Sequence, residues 1–134
     1  MLDLALQEEG KLVMLKDIAR RQLVSERFLE QVMTTLSRAG FIKSHRGARG
    51  GYVLACHPAD ITLLDILRAA IGDICLVDCV RHPDVCSRAS TCATREVWDE
   101  LGQVLYRVLG SMSLEEMANR QRAKLARPAL TWEI

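Results

Sequence analysis

The sequence predicts a mainly α fold with one small β-hairpin, and three features carry that expectation. Two short amphipathic segments, Leu15 to Gln22 and Glu26 to about Ala39, are separated by only a tight turn. A glycine-rich run, Gly47-Ala48-Arg49-Gly50-Gly51, then divides two stretches of β-prone residues. Further on, Thr94 to Met112 has helical spacing with apolar residues on more than one side. Helix, turn, helix and hairpin in that order make a winged helix-turn-helix domain, here followed by a long C-terminal helix suited to dimerisation.

Along the chain, Leu2 to Gln7 places Leu2, Ala5 and Leu6 on one side of a short helix that stops at Gly10. In the next segment Leu15, Ile18 and Ala19 fall at i, i+3 and i+4, so one face is apolar. The break at Leu23-Val24 leads to Ser25, whose hydroxyl suits an N-cap. The helix it opens buries Leu29, Val32, Met33 and Leu36 and turns Glu26, Arg27, Glu30, Gln31 and Thr34 outward, with Gly40 as its stop. Phe41 to Arg46 and Tyr52 to Ala55 read as the strands of the hairpin.

Pro58 and Asp60 mark a loop. Thr62 and Asp65 form a capping-box pair ahead of Leu63, Ile66, Leu67, Ala70 and Ile71, and Gly72 ends that helix. Asp73 to Ala93 has little periodicity, and Pro83 interrupts any helix there. In the long helix Val97, Trp98, Leu101, Val104, Leu105, Val108 and Leu109 cover more than a single stripe. So broad a surface calls for a second subunit as well as its own domain, with Trp98, Leu101, Leu105 and Val108 as the dimer contacts. Ser113 and Glu116 form another capping box, opening a short helix to about Arg122, and Arg127-Pro128 leads into a loose tail.

The expected organisation is a winged-helix domain over 1–58 with its first helix cut short, a connecting helix over 59–73 and a cysteine loop over 74–93. The dimerisation helix and a short final helix occupy 94–122, and the tail 123–134. One hundred and thirty-four residues exclude a large multidomain enzyme. Eighteen basic against 17 acidic residues leave +1, so the whole chain makes no polyelectrolyte argument. The distribution does: residues 16–49 hold eight basic and three acidic side chains, an excess of five, whereas residues 56–134 hold nine and eleven. No apolar run is long enough to cross a bilayer and no leader pattern precedes the first helix, which predicts a cytoplasmic protein without membrane contact. Five cysteines, an odd number without a secretion signal, predict reduced thiols.

Three constellations carry chemistry. Cys79-x6-Cys86-x5-Cys92 places three soft thiolate ligands on one irregular stretch, where they suit an iron–sulfur cluster. Zinc fits less well, because no Cys-x2-Cys or Cys-x4-Cys knuckle occurs. Cysteines acting as small hydrophobes would need apolar surroundings, yet Asp78, Arg81, Asp84, Ser87 and Arg88 surround these; Cys75 and Cys56, by contrast, read as core. The hairpin tip offers His45, Arg46 and Arg49 among glycines, which let backbone approach a duplex closely while arginine enters a groove or clasps phosphate. The outer face of the second helix offers Ser25, Glu26, Arg27, Glu30 and Gln31. Arg27 and Gln31 suit base edges or phosphate, and Glu30 suits a cytosine amino group. Any one of these is as easily a solvated surface residue; helix and hairpin together favour DNA.

No enzyme site competes. His45, His57 and His82 are scattered, and no phosphate loop, nucleophile elbow or paired metal-ligand histidines occur.

Met1-Leu-Asp-Leu-Ala-Leu, Ile18-Ala-Arg-Arg-Gln, Phe28-Leu-Glu-Gln, Leu36-Ser-Arg-Ala-Gly-Phe-Ile, Arg46-Gly-Ala-Arg-Gly-Gly-Tyr, Ile61-Thr-Leu-Leu-Asp-Ile-Leu and Cys92-Ala-Thr-Arg-Glu-Val-Trp together resemble the IscR/NsrR family of winged-helix regulators (the Rrf-two family). The resemblance runs to about Gln121, and the wing motif combined with three cysteines is its specific part. It implies a homodimeric transcription factor on a double-stranded DNA operator, with a 2Fe-2S or 4Fe-4S cluster at Cys79, Cys86 and Cys92 and RNA polymerase affected indirectly. It also implies a long helix that crosses the dimer mate. Family members sense cluster supply, iron or nitric oxide.

IscR-like proteins carry a histidine ligand three residues after the third cysteine, where this chain has Arg95, which has no lone pair to give. NsrR-like members take the fourth ligand from the first helix of the other subunit, and this sequence begins later than theirs. The reading is an iron–sulfur-sensing regulator, a repressor of cluster-biogenesis or iron-homeostasis genes. A nitric oxide or redox sensor is its relative, and a zinc or cysteine-redox interaction module without DNA function is its rival from another class.

Overall fold

The computed structural model describes residues 1–47 and 50–126. Among the described residues, seven helices and one hairpin follow in chain order: α1 (Leu2–Ala5), α2 (Leu15–Gln22), α3 (Glu26–Arg38), β1 (Ile42–His45), β2 (Gly51–Leu54), α4 (Leu63–Ile71), α5 (Asp78–Arg81), α6 (Ala93–Ser111) and α7 (Leu114–Leu125). Among the described residues no helix is long and apolar enough to cross a membrane. The chain divides into two compact units, Met1–Ile61 with the segment from Ser113 onward, and Thr62–Met112.

In the first unit the predicted helix-turn-helix forms as expected. Helix α2 ends at Leu23, which adopts the left-handed conformation (φ 54°, ψ 41°), and Ser25 caps α3 by accepting from the Phe28 N–H at 3.2 Å. Leu29, Met33 and Leu36 are buried as predicted, while Val32 is only half-buried at the edge of the stripe. Gly40, at φ +81°, supplies the left-handed stop that lets Phe41 turn back into β1. The strands pair antiparallel with Ile42 opposite Leu54 and His45 opposite Gly51.

A pairing absent from the sequence reading holds the hairpin's other edge: Val13 and Tyr52 exchange two backbone hydrogen bonds, each of 2.9 Å. Gly51 permits it, because a Cβ there would stand 2.6 Å from the Val13 carbonyl oxygen. The core of this unit joins Leu4, Val13, Ile18, Leu29, Met33, Leu36, Ile42 and Ile61 to Leu114 and Ala118 of α7. Helix α7 runs three residues past the predicted Arg122. Its sequence after Glu116 has no breaker before Pro128. Pro58–Asp60, expected as a loop, is a 3-10 turn capped by the His57 ring.

The second unit is built on α4 and α6. Thr62 and Asp65 make the predicted capping box, and α6 matches the predicted long helix within one residue at each end. Among its described residues none is fully buried. Val97, Trp98, Leu101, Val104 and Val108 remain between 38% and 54% exposed. Of the four predicted dimer contacts, Trp98, Leu101 and Val108 are exposed and Leu105 is half-buried. The 73–93 stretch, expected to be irregular, carries the single-turn α5 and two 3-10 turns, Pro83–Val85 and Ala89–Thr91. Turns this short leave no hydrophobic period to detect.

Candidate functional site

The first candidate surface lies on α3 and the hairpin. Ser25, Glu26, Arg27, Glu30 and Gln31 are all exposed, and so are Lys43, Ser44, His45 and Arg46. Arg49, predicted at the wing tip, falls outside the described residues, as does the tail from Arg127. Helix α3 packs on β1, so the polar face and the basic hairpin belong to one compact unit. Such a pair of elements fits a duplex, with the helix N-terminus at base edges and the hairpin on the backbone.

An ion pair between the buried Asp3 and the exposed Arg21 sets α2 against α1. Asp3 is 6% exposed and receives two hydrogen bonds from Arg21, at 2.9 Å from Nε and 2.7 Å from Nη2, and one from Gln22 at 3.1 Å. The Arg21 hydrogen bond, opposed by burial, holds the Asp3 carboxyl below its usual pKa. Sequence reasoning missed this pair, although the acid between Leu2 and Leu4 on an apolar helix face was its signal. In α7, Arg122 donates to the Ala5 carbonyl at 2.7 Å, a second tie on α1.

The second candidate is the cysteine segment. Cys79 lies inside α5, Cys86 follows the 3-10 turn Pro83–Val85, and Cys92 is the N-cap residue of α6. All three are half-buried free thiols. Arg95, in the first turn of α6, donates from Nε to the Cys79 carbonyl at 2.8 Å and from Nη2 to the Val80 carbonyl at 3.5 Å. Tyr106 on α6 donates to the Ile74 carbonyl at 2.8 Å, so α6 holds both ends of the 74–80 stretch. Cys86 and Arg95 also line an open cleft of about 440 Å³ with Pro83, Asp84, Ser87 and Ser90.

Neither of the other two cysteines, both expected in the core, is fully buried. Cys75 is half-buried, its thiol 3.0 Å from the Val77 carbonyl. Cys56, expected in the core, is exposed, because β2 ends at Leu54 and the last hairpin bond, Ala55 N–H to the Phe41 carbonyl, precedes it.

The comparisons with known proteins agree with this architecture. The profile of the family described as Rrf2, iron-dependent transcriptional regulators, matches residues 1–120. The chain belongs to the Rrf2 family. It is 36% identical over 117 residues to the protein rrf2 of Nitratidesulfovibrio vulgaris, covering 87% of this chain and 78% of that one. The solved structure of CymR, the global cysteine regulator of B. subtilis, superposes with a TM-score of 0.73 at 36% identity, over 89% of this chain and 87% of that one. The structure of T. potens IscR gives 0.74 at 35% identity, over 95% and 84%. Membership confirms the mainly helical winged-helix fold with its antiparallel hairpin. The chain is a transcriptional regulator and not an enzyme.

For an Rrf2 protein the question is what the cysteines hold. Three half-buried thiols within fourteen positions, 79 to 92, match the soft donor set of an iron–sulfur cluster. Arg95 does not extend that set, since it is turned onto backbone carbonyls and lacks a lone pair. Among the described residues no three His, Cys, Asp or Glu side chains gather into a single metal-holding group.

Proposed function

We propose that this Rrf2 protein is a homodimeric, operator-binding repressor whose DNA affinity follows the iron–sulfur state of Cys79, Cys86 and Cys92. The observation that carries the reading is the position of the three thiols. They occupy one segment, half-buried, and the last of them begins the helix with the uncovered apolar face. An iron–sulfur cluster, 2Fe-2S or 4Fe-4S, supplies reversible electron transfer and iron open to small ligands when bound.

The chain's own groups do the rest. Ser25, Glu26, Arg27, Glu30 and Gln31 meet base edges, while His45, Arg46 and Arg49 meet phosphate and groove. Trp98, Leu101, Leu105 and Val108 join two subunits, covering a unit that buries no side chain fully by itself. Cys92, as the N-cap residue of α6, would tie a bound cluster to the helix that carries the subunit seam. The seam in turn sets the half-site spacing a dimer accepts, which makes cluster and operator linked ligands.

A second reading has its own observation. With Arg95 engaged by the Cys79 and Val80 carbonyls, the thiols act without a cluster, as redox or cysteine-responsive groups. The likeness to a global cysteine regulator supports that direction.

The deciding experiment purifies the protein anaerobically and records the visible spectrum with iron and sulfide content. Operator duplexes are then selected from a random library, and their affinity is compared between loaded and cluster-free protein. Visible absorbance with matched iron and sulfide, lost in Cys86→Ala and Cys92→Ala and kept in Cys56→Ala, is expected together with at least a roughly fivefold change in Kd. A colourless protein that still selects a sequence, with affinity shifting only on thiol oxidation, gives the second reading. A colourless zinc protein with no sequence preference gives neither.

A further inference from the structure

Phe28 stands out on the candidate recognition helix. It occupies the third helical position of α3 and is 55% exposed, whereas the other exposed positions as far as Thr34 are Glu26, Arg27, Glu30, Gln31 and Thr34 itself. The core beneath α3 closes without it, through Leu29, Met33 and Leu36. Its backbone N–H, held by the Ser25 hydroxyl, fixes the residue in the first turn. That turn is the part of a recognition helix that reaches base edges. Single exposed hydrophobes are common on protein surfaces. This one is the apolar residue among the exposed positions of α3 as far as Thr34, on the unit that carries the basic excess, and it precedes Gln31 by three residues. Residues at that spacing are neighbours on a helix surface.

We propose that Phe28 is a specificity-determining residue that reads thymine through its 5-methyl group in the major groove. The proposal rests on the operator-binding reading above. Among the four bases, the thymine methyl is the apolar mark on the major-groove edge, and an aromatic ring is a side chain that meets it. Removing that methyl from water against a ring favours thymine over any base that lacks it. Gln31 complements the choice, since its amide matches the N6 and N7 edge of adenine. Phe28 and Gln31 together therefore select a thymine and an adenine close to one another in each half-site. Leu29 and Met33 keep α3 seated whatever stands at position 28, so the ring is free to serve recognition.

The test uses the full chain. Operators are selected from a random duplex library with wild type, and each thymine of the preferred duplex is then replaced singly by uracil, which removes only the methyl group. At one thymine per half-site, uracil is expected to weaken wild-type binding about fourfold. Phe28→Ala is expected to bind the two duplexes alike, and Phe28→Leu to keep part of the preference. Unchanged helicity by circular dichroism in both variants shows that the fold is intact, as the exposure of the ring leads one to expect. Wild type that ignores the methyl at every thymine overturns the proposal, and so does Phe28→Ala that discriminates as wild type does. Wild type that selects no sequence at all overturns the operator-binding reading itself, and the proposal with it.

Discussion

Arg95 Nε donates to the Cys79 carbonyl oxygen at 2.8 Å, joining the first turn of α6 to the turn of helix that carries the first of the three cysteines. A guanidinium at the C-terminal end of so short a helix satisfies carbonyls that would otherwise lack partners, and its charge suits that end of the helix. Arg95 is thus a backbone clamp in this chain.

Removing the clamp should loosen the segment. In cluster-free Arg95→Ala, amide hydrogen exchange over 79–86 is expected to accelerate relative to wild type while the later turns of α6 keep their protection. Equal exchange in the two proteins would show that α5 holds without Arg95. Arg95→His exchanges a donor for a lone pair one turn beyond Cys92, and slower decay of the visible cluster absorbance in aerated buffer is the expected result. Equal or faster decay would mean that the fourth position is filled from elsewhere.

Arg46 and Glu30 should fail differently. Arg46 is an exposed cation at the end of β1, so Arg46→Ala is expected to weaken specific and non-specific duplex binding together. The slope of log K against log salt should shrink by about one. Glu30→Ala should leave the salt slope in place and change which sequences a binding-site selection returns. Unchanged preferences would remove Glu30 from the readers.

The Asp3–Arg21 pair makes a prediction in pH. Arg21→Met leaves the buried Asp3 carboxylate with Gln22 still donating, and a loss of about 1–3 kcal/mol in unfolding free energy is expected at neutral pH. Because the folded-state pKa of Asp3 is depressed, its contribution is present above the unfolded-state value and is lost as pH falls through the folded one. The gap between wild type and variant should therefore narrow on acidification below about pH 4. Urea unfolding of both proteins across that range reads the effect, and a gap independent of pH would assign the loss to packing.

Leu23 is 92% exposed and holds a left-handed backbone that an L side chain adopts at a cost. Leu23→Gly relieves that strain and gives up almost no buried surface. Against this stands the greater chain entropy of glycine when unfolded. The net expectation is a stabilisation of about 0.5–1 kcal/mol, measured as a shift of the urea midpoint at unchanged slope. A loss of stability would show that the Leu23 side chain supports the turn.

Much of the molecule was legible before any coordinates. Apolar spacing at Leu15, Ile18 and Ala19, the hydroxyl of Ser25, the capping pair Thr62 and Asp65, and the glycines at 40 and 72 each act within one or two turns of chain, and local patterns state such effects directly. Their order along the chain carried the winged-helix architecture, and the spacing of Cys79, Cys86 and Cys92 carried the candidate ligand set. Tertiary structure alone decided the rest. The Asp3–Arg21 ion pair, the Val13–Tyr52 bridge, the Arg122 tie to Ala5 and the Arg95 hold on Cys79 join residues 16 to 117 positions apart. A partner that distant leaves no period in the sequence, because what selects it is the charge or hydrogen-bonding group left uncompensated once the chain has already folded back on itself.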